Sequence, residues 1–200
     1  MKLLLLLKSK FCSTNNNNWY KETYCPIIKV TQNYKDMSKT NVSIQNIGKL
    51  KIECLFVTFT TEASPDFNIF TPHMVCLSKN LKLSLPINEE GWTIFNLQQI
   101  GYYRVNYDEE NWQRITNYLH SRNYKKIHVL NRAQIIDDAF NLMVAGHLHS
   151  YIFWNIISYL HQEEDYIAWY PLFKALEYIC STFPVLKEKI GYFTVNINKE

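Results

Sequence analysis

The chain has 200 residues, of which 47% are hydrophobic and 20% are charged, a balance typical of a folded globular protein. Its formal net charge is only +3, and no basic stripe or RNA-binding motif accompanies it, so no nucleic-acid partner is expected. Glycine is scarce, and the absence of a GxGxxG or P-loop motif excludes the usual phosphate-binding loops.

The N-terminus, MKLLLLLKSKF, resembles a secretory signal, but its apolar run covers only Leu3 to Leu7. The polar stretch STNNNN follows, so residues 1–18 are interpreted as a weak signal-like or disordered N-terminus. No run approaches the roughly 18 apolar residues that a membrane span requires, so no transmembrane segment is expected. Asn41 begins an Asn-Val-Ser sequon and is a candidate N-glycosylation site, which matters only on a secretory route.

The five cysteines are odd in number, widely spaced and without a CxxC pair, which argues against a zinc knuckle or a redox motif. Cys54 and Cys76 could form a bridge in an oxidising compartment, and the sequence leaves this open. The full set is Cys12, Cys25, Cys54, Cys76 and Cys180.

Short segments rich in β-branched and aromatic residues follow one another from about residue 26 to residue 107. One of them alternates, with Ile52, Cys54 and Phe56 on one side, and Asn, Gly, Pro and Ser separate the segments. This spacing predicts that residues 19–107 form a small antiparallel β-sandwich.

The periodicity changes at IGYYRVNYDEENW, where Gly101 is expected to permit a turn or bulge and Asp108 to cap a helix. Helices are predicted over residues 109–121, 131–145, 150–161, 166–181 and 184–192, with Ser150 and Asp165 as N-caps and Gly146 as a stop. Residues 108–200 are therefore predicted to form an antiparallel helical array, the first part of an α-superhelix. The fold class is α+β in two segregated parts.

The adjacent carboxylates Asp137 and Asp138 lie in the apolar helix NRAQIIDDAFNLMVAG and are the first candidates for chemistry. Neighbouring helical side chains point about 100° apart, so the two should not converge on one metal ion or proton. Asn131 and Gln134 resemble a capping pair at the start of this helix. These features favour a structural role.

Arg132 falls on the apolar side of the same helix and would need a carboxylate partner if it is buried. Asp138 and Asp108 are the two candidate partners. The six histidines show no metal-ligand spacing, and neither HExxH nor G-x-S-x-G occurs. No catalytic or zinc-binding residue is assigned, although a Cys/His nucleophilic pair stays open.

Three long segments resemble the M1 family of zinc aminopeptidases, of the aminopeptidase N type and most like those of insects. They are GWTIFNLQQIGYYRVNYDEENWQRI, KKIHVLNRAQIIDDAFNLMVAGHL and SYLHQEEDYIAWYPLFKALEYI. The resemblance covers about residues 19–183 and makes YYRVNYD, with Arg104, and NRAQIIDDAF family landmarks of the sandwich–helix junction and of helix packing. The strand region departs from the family pattern, for example at Cys25, where tyrosine is usual.

The resemblance implies that zinc, the HExxH motif and the G-x-M-E-N motif of the intact enzyme belong to a catalytic domain that these 200 residues do not include. The chain is therefore expected to be inactive alone. The intact enzyme would release N-terminal amino acids from peptides, at the extracellular face of the plasma membrane or after secretion. A homodimer through the helical domain is a further partner that the resemblance allows.

Two other interpretations stay open at this point. The chain could be a truncated paralogue that serves as a peptide-binding or protein-interaction module, or a degenerate product without a stable function. An HExxH codon string in frame upstream would favour the aminopeptidase interpretation over both.

Overall fold

A computed structural model describes residues 25–32, 40–47, 54–68, 71–76, 82–87 and 91–182. The signal-like N-terminus predicted for residues 1–18 and the helix predicted for 184–192 lie outside the described residues. In the described part, no helix is long and apolar enough to cross a membrane.

Four strands form the largest sheet: β1 (Ile27–Gln32), β2 (Thr40–Asn46), β6 (Lys82–Ile87) and β8 (Arg104–Tyr107), in the order β6-β2-β1-β8. β2 runs antiparallel to both β1 and β6, as expected. β1 and β8 instead run parallel, with Ile27 opposite Arg104. A parallel pair needs a long connection, and here most of the strand region forms that connection.

The remaining strands form two antiparallel ribbons. β3 (Cys54–Val57) pairs with β5 (His73–Cys76), and β4 (Phe59–Thr61) pairs with β7 (Thr93–Phe95). Cys54 stands opposite Cys76 in this register and is disulfide-bonded, as is Cys25. Asn41 lies in β2, and its side chain lies outside the described part of the chain.

The helical part contains α1 (Glu109–Leu119), α2 (Val129–Val144), α3 (Ser150–Ile157) and α4 (Tyr166–Thr182), with α2 packed against α3 and α4. The two-part α+β organisation predicted from the sequence is confirmed: the described strands end at Tyr107, and the long helices follow. Asp108 caps α1 as predicted, because its carboxylate accepts the Asn111 N–H at 2.8 Å.

The predicted end of α2 is correct, whereas the predicted N-cap of α3 is displaced by one residue. Gly146 ends α2 with a φ of 74°, and the N–H of His147 donates to the Leu142 carbonyl at 2.8 Å, which completes a Schellman motif. The N-cap position of α3 is occupied by His149, one residue before the predicted Ser150, and its side chain makes no capping hydrogen bond. Asp165 stands before α4 and accepts the Ile167 N–H at 2.9 Å.

One hydrophobic core runs from the strands into the helices. It extends from Ile28 in β1 to Ala175 in α4, and its largest fully buried side chains include Trp92, Trp112 and Tyr159. One polar contact inside it joins β8 to α1: the indole N–H of Trp112 donates to Asn106 Oδ1 at 3.0 Å. The described strands and helices are therefore packed against one another rather than separated by a linker.

Candidate functional site

The paired aspartates of α2 meet the first residue of β8. The Arg104 Nη1 group donates to Asp137 Oδ2 at 2.6 Å and to Asp138 Oδ1 at 2.9 Å. The side chains of Arg104 and Asp138 are each 2% exposed, and that of Asp137 is 13% exposed. This cluster therefore binds the strand region to the helical region.

Asp137 and Asp138, which were expected not to converge on one metal ion or proton, both reach the same Arg104 nitrogen. Their Cα–Cβ bonds point in different directions, but the long Arg104 side chain enters between them and one of its nitrogens reaches both carboxylates. The cation they share is thus a guanidinium from the neighbouring strand, which periodicity within one helix does not reveal.

The cluster has little capacity left for catalysis. Asp138 Oδ2 also accepts the Val105 N–H at 3.1 Å and the Gln134 amide at 3.3 Å. Burial lowers the pKa of Arg104, but the two carboxylates outweigh this, so its pKa is raised and it stays charged. A buried network in which each carboxylate accepts several hydrogen bonds positions elements rather than transferring protons.

Asn131 and Gln134 lie inside α2, not at its start, which corrects the predicted capping pair. α2 begins at Val129, and His128 is its N-cap. The two side chains do bond to each other at 2.8 Å, but Asn131 mainly holds the turn before β8: its Oδ1 accepts the Gln98 N–H at 2.8 Å. The hydrogen-bonding partner of Asn131 is therefore a distant turn instead of its own helix end.

That turn is unusual, because Asn96, Gln98 and Gln99 all have φ between 48° and 63°. Gly101, which was expected to permit a turn, follows it. A larger residue does not fit there, because a Cβ would lie 2.2 Å from the Tyr103 ring. No positive φ is involved at Gly101, so close approach to an aromatic ring explains the glycine.

Arg132 is buried, and its partner is Glu163 rather than the predicted Asp138 or Asp108. Its Nε donates to Glu163 at 2.7 Å and its Nη2 at 3.2 Å, while Nη1 donates to the Ile127 carbonyl at 2.5 Å. Glu163 also accepts the N–H of Asp165 at 2.9 Å. The pair anchors the segment that leads into α4 onto α2.

Asp108 is occupied elsewhere, which explains why it does not serve Arg132. Besides capping α1, its Oδ2 accepts the N–H of Gln32 at 2.8 Å. The end of β1 and the start of α1 are thus held by one carboxylate.

Sequence reasoning missed Glu163 and the Gln98 turn. Glu163 stands in HQEED, and its partner Arg132 lies 31 residues away. A signal did exist, because a buried arginine requires a carboxylate and Glu163 lies three residues before the apolar helix α4.

The described residues include no group of three or more His, Cys, Asp or Glu side chains arranged to hold a metal ion. His120 and His161 stack with ring centroids 6.4 Å apart, but each bonds a backbone carbonyl: Asn155 for His120 and Ser158 for His161. These donors do not fit a zinc centre, which takes three or four convergent ligands.

Two sizeable cavities occur in the described part of the chain. One, of about 570 Å³, lies beside Lys125, His128, Arg132 and Glu163, and burial followed by the charge of Arg132 lowers the pKa of His128. The other, of about 600 Å³, lies between β3 and the turn at Gly101, and none of the described residues that line it is charged. Neither brings together a nucleophile, a base and an oxyanion site.

Residues 92–197 match the family model described as the ERAP1-like C-terminal domain. The chain is 32% identical over 171 residues to the membrane alanyl aminopeptidase of Manduca sexta, covering 82% of this chain and 17% of that protein. It is 42% identical over 109 residues to aminopeptidase N of Plutella xylostella, covering 52% and 11%, and 45% identical over 87 residues to human aminopeptidase N, covering 44% and 9%.

The chain belongs to the M1 aminopeptidase family. It spans less than a fifth of the length of the curated relatives it matches. The matched part of the M1 family includes both buried arginine clusters, since Arg104, Arg132 and Glu163 all lie within residues 92–197. In this M1 chain, Arg104, Arg132 and Glu163 thus hold neighbouring structural elements together.

Proposed function

We propose that the chain is the non-catalytic strand-and-helix portion of an M1-type zinc metalloaminopeptidase whose intact form releases N-terminal amino acids from peptides. The observation that carries the proposal is the match to a membrane alanyl aminopeptidase over 82% of this chain. The boundaries proposed are a strand domain over residues 19–107 and the start of a C-terminal helical domain over residues 108–200.

The site geometry supports a scaffolding role within that enzyme. Both buried arginines are bonded to carboxylates and lie at joints between elements, one between β8 and α2 and the other between α2 and the entry to α4. Buried ion pairs of this kind favour one arrangement of elements over others. The helical wall of an aminopeptidase would need such fixed joints to present a constant surface to peptides.

Zinc belongs to the intact enzyme in this proposal, and the chain's described residues do not fit it. His147 and His149 flank a turn without a third ligand, and the stacked pair His120–His161 is bonded to backbone carbonyls. No catalytic step is therefore assigned to these residues. The 200-residue chain is expected to have no peptidase activity by itself.

The relatives' names also bear on location and partners. One is a membrane alanyl aminopeptidase, and another, from Rattus norvegicus, is a thyrotropin-releasing hormone-degrading ectoenzyme. By this likeness, the intact protein acts on peptides at the extracellular face of the plasma membrane or after secretion, with Asn41 glycosylated on that route. A homodimer through the helical domain is part of the same proposal, and sedimentation velocity tests it.

The deciding experiment measures zinc content and aminopeptidase turnover in the purified 200-residue chain, using an aminoacyl reporter substrate. The proposal expects neither bound zinc nor turnover from the chain alone. Stoichiometric zinc together with chelator-sensitive turnover would overturn it. Sequencing of the gene upstream supplies the complement, because the proposal expects an in-frame HExxH codon string there.

A further inference from the structure

β3 and β5 form a two-stranded ribbon whose strands are connected by the polypeptide at one end. The register runs from Val57 opposite His73, at that end, to Cys54 opposite Cys76 at the other. The connection follows Val57, which is fully buried, and it includes β4, which pairs with β7. Two-stranded ribbons are marginally stable in water by themselves. The Cys54 end, which lies away from this connection, would therefore fray unless another constraint held it.

The register places two cysteines directly opposite each other at this open end. Directly opposed residues of an antiparallel pair have Cα atoms about 4.5–5.5 Å apart and share one face of the sheet. Disulfides bridge Cα atoms that are about 4.4–6.8 Å apart. A bond between Cys54 and Cys76 therefore requires no movement of the backbone.

The oxidation state of Cys54 narrows the choice of its partner. Cys54 and Cys25 are both disulfide-bonded, whereas Cys180 in α4 is a free thiol. Cys25 stands just before β1, and the hydrogen-bonded neighbours of β1 are β2 and β8 rather than β3. Cys76 lies on the strand that pairs with β3. The register thus favours Cys76 over Cys25 as the partner of Cys54.

We propose that Cys54 and Cys76 form a cross-strand disulfide that closes the open end of the β3–β5 ribbon, and that this bond is a redox-sensitive site. Its formation joins the two sulfur atoms and passes two electrons and two protons to an external disulfide, which is reduced to two thiols. Because Cys54 is exposed, an external thiol can attack the bond and reverse the reaction. The inference does not depend on the proposed peptidase activity, because it concerns how the strand region is held together.

The bond would stabilise the strand region mainly through its effect on the unfolded chain. It closes a loop of roughly 20 residues, which reduces the number of conformations open to the unfolded polypeptide. Disulfides persist in oxidising compartments and are rare in the cytosol. The ribbon is therefore expected to be closed at both ends on the secretory route and open at the Cys54 end in a reducing cytosol.

Peptide mapping without reduction tests the pairing directly. No lysine or arginine occurs from Ile52 to Ser78, so trypsin releases Cys54 and Cys76 on one peptide, residues 52–79. Free thiols of the purified 200-residue chain are first blocked with iodoacetamide under denaturing conditions, which should alkylate Cys180 in every sample. We expect the peptide to be unalkylated and about 2 Da lighter than its reduced form, because two thiol hydrogens are lost.

Graded reduction tests the redox sensitivity of the same bond. Brief treatment of the native chain with dithiothreitol before blocking should alkylate Cys54 and Cys76 together, since opening one bond releases both thiols. Alkylation of one without the other would mean that they are not each other's partner.

Serine variants supply a second, independent measurement. Cys54→Ser, Cys76→Ser and the double variant all remove the same bond, so each should lower the melting temperature by the same amount, roughly 10 °C. Cys180→Ser is the matched control, because it removes a thiol that is already free, and it should melt close to the parent chain. If a variant fails to fold, peptide mapping of the parent chain still decides the pairing.

Three mapping results would overturn the proposal. The peptide of residues 22–29, which carries Cys25, could be linked to residues 52–79, which would make Cys25 the partner. Two copies of residues 52–79 could be linked, which would place the bond between two chains. Alkylation of Cys54 in the unreduced chain would show that it carries no disulfide. Zinc content and turnover are measured separately, so the pairing and the proposed peptidase can fail independently.

Discussion

Arg104 and Arg132 are both buried at joints of the fold, yet their carboxylate partners are arranged differently. Arg132 presents two nitrogens to the two oxygens of Glu163 and a third to a backbone carbonyl. Arg104 shares its Nη1 between Asp137 and Asp138, and its Nη2 has no hydrogen-bond partner among the described residues. We call the Arg132–Glu163 pair the helix joint and the cluster of Arg104, Asp137 and Asp138 the strand joint. A single carboxylate neutralises the arginine of the helix joint, whereas two carboxylates neutralise the arginine of the strand joint.

The largest expected effect is that of Glu163→Ala, which tests the dependence of the helix joint on one acid. Removing Glu163 leaves a buried arginine uncompensated, and breaking a buried pair in this way costs about 3–5 kcal/mol. For a chain of this size we expect the melting temperature to fall by roughly 6–20 °C. Arg132→Ala should also lower it, since Glu163 would then be buried without its cation. An unchanged melting temperature in both variants would show that the fold does not depend on the Arg132–Glu163 pair.

The control for that experiment is Glu164→Ala. Glu164 pairs with Lys125 at 2.7 Å, but its side chain is 79% exposed. Water screens an exposed pair of this kind, so this variant should melt close to the parent chain. A loss as large as that of Glu163→Ala would mean that burial does not set the difference.

Gly101→Ala tests whether steric overpacking beside the strand joint destabilises the fold as strongly as the loss of a carboxylate does at the helix joint. The added methyl group would meet the Tyr103 ring, and overpacking of this kind typically costs about 1–3 kcal/mol. Gly146→Ala is the matched glycine control, because nothing lies within 4 Å of a Cβ there and only its φ of 74° opposes alanine. Chemical denaturation should rank Gly101→Ala as the more destabilised; the reverse order would argue against the ring contact.

Asp137→Ala tests whether the divided strand joint tolerates the loss of one acid. Asp138 would still neutralise Arg104, and Asp137 is the more exposed of the two, so we expect a loss of only about 1 kcal/mol. Urea denaturation measures this against Glu163→Ala. Equal losses in the two variants would erase the contrast between the joints.

The smallest effect concerns His128, beside the helix joint. Burial, and then the charge of Arg132, lowers its pKa below the ordinary 6.5, so the unfolded chain binds this proton more readily than the folded one. Its contribution to stability is therefore complete above pH 6.5 and is lost as the pH falls from there toward the folded pKa. His128→Gln should flatten the decline of the melting temperature over that interval. A decline that is as steep in the variant would assign it to other groups.

Local signals in the sequence predicted the start of α1 and the end of α2. Asp108 before Glu109 and Glu110, and Gly146 after α2, act through backbone groups within a few residues, so their roles follow from neighbours that the sequence prints side by side. The partners of Arg104, Arg132 and Asn131 could not be predicted in this way. They lie 31 to 34 residues away, and their pairing depends on how β8, the Gln98 turn and α4 pack against α2.

The parallel pairing of β1 with β8 has a consequence for the order of folding. The bond from Gln32 to Asp108 closes a separation of 76 residues, whereas the Arg132–Glu163 contact closes 31. Loop-closure entropy must be overcome before a distant contact contributes, so the helical hairpins should form before β1 pairs with β8. On a ribosome β1 and its neighbour β2 emerge well before β8, so the edge of β1 that faces β8 would stay unpaired until the polypeptide has been synthesised past Asp108.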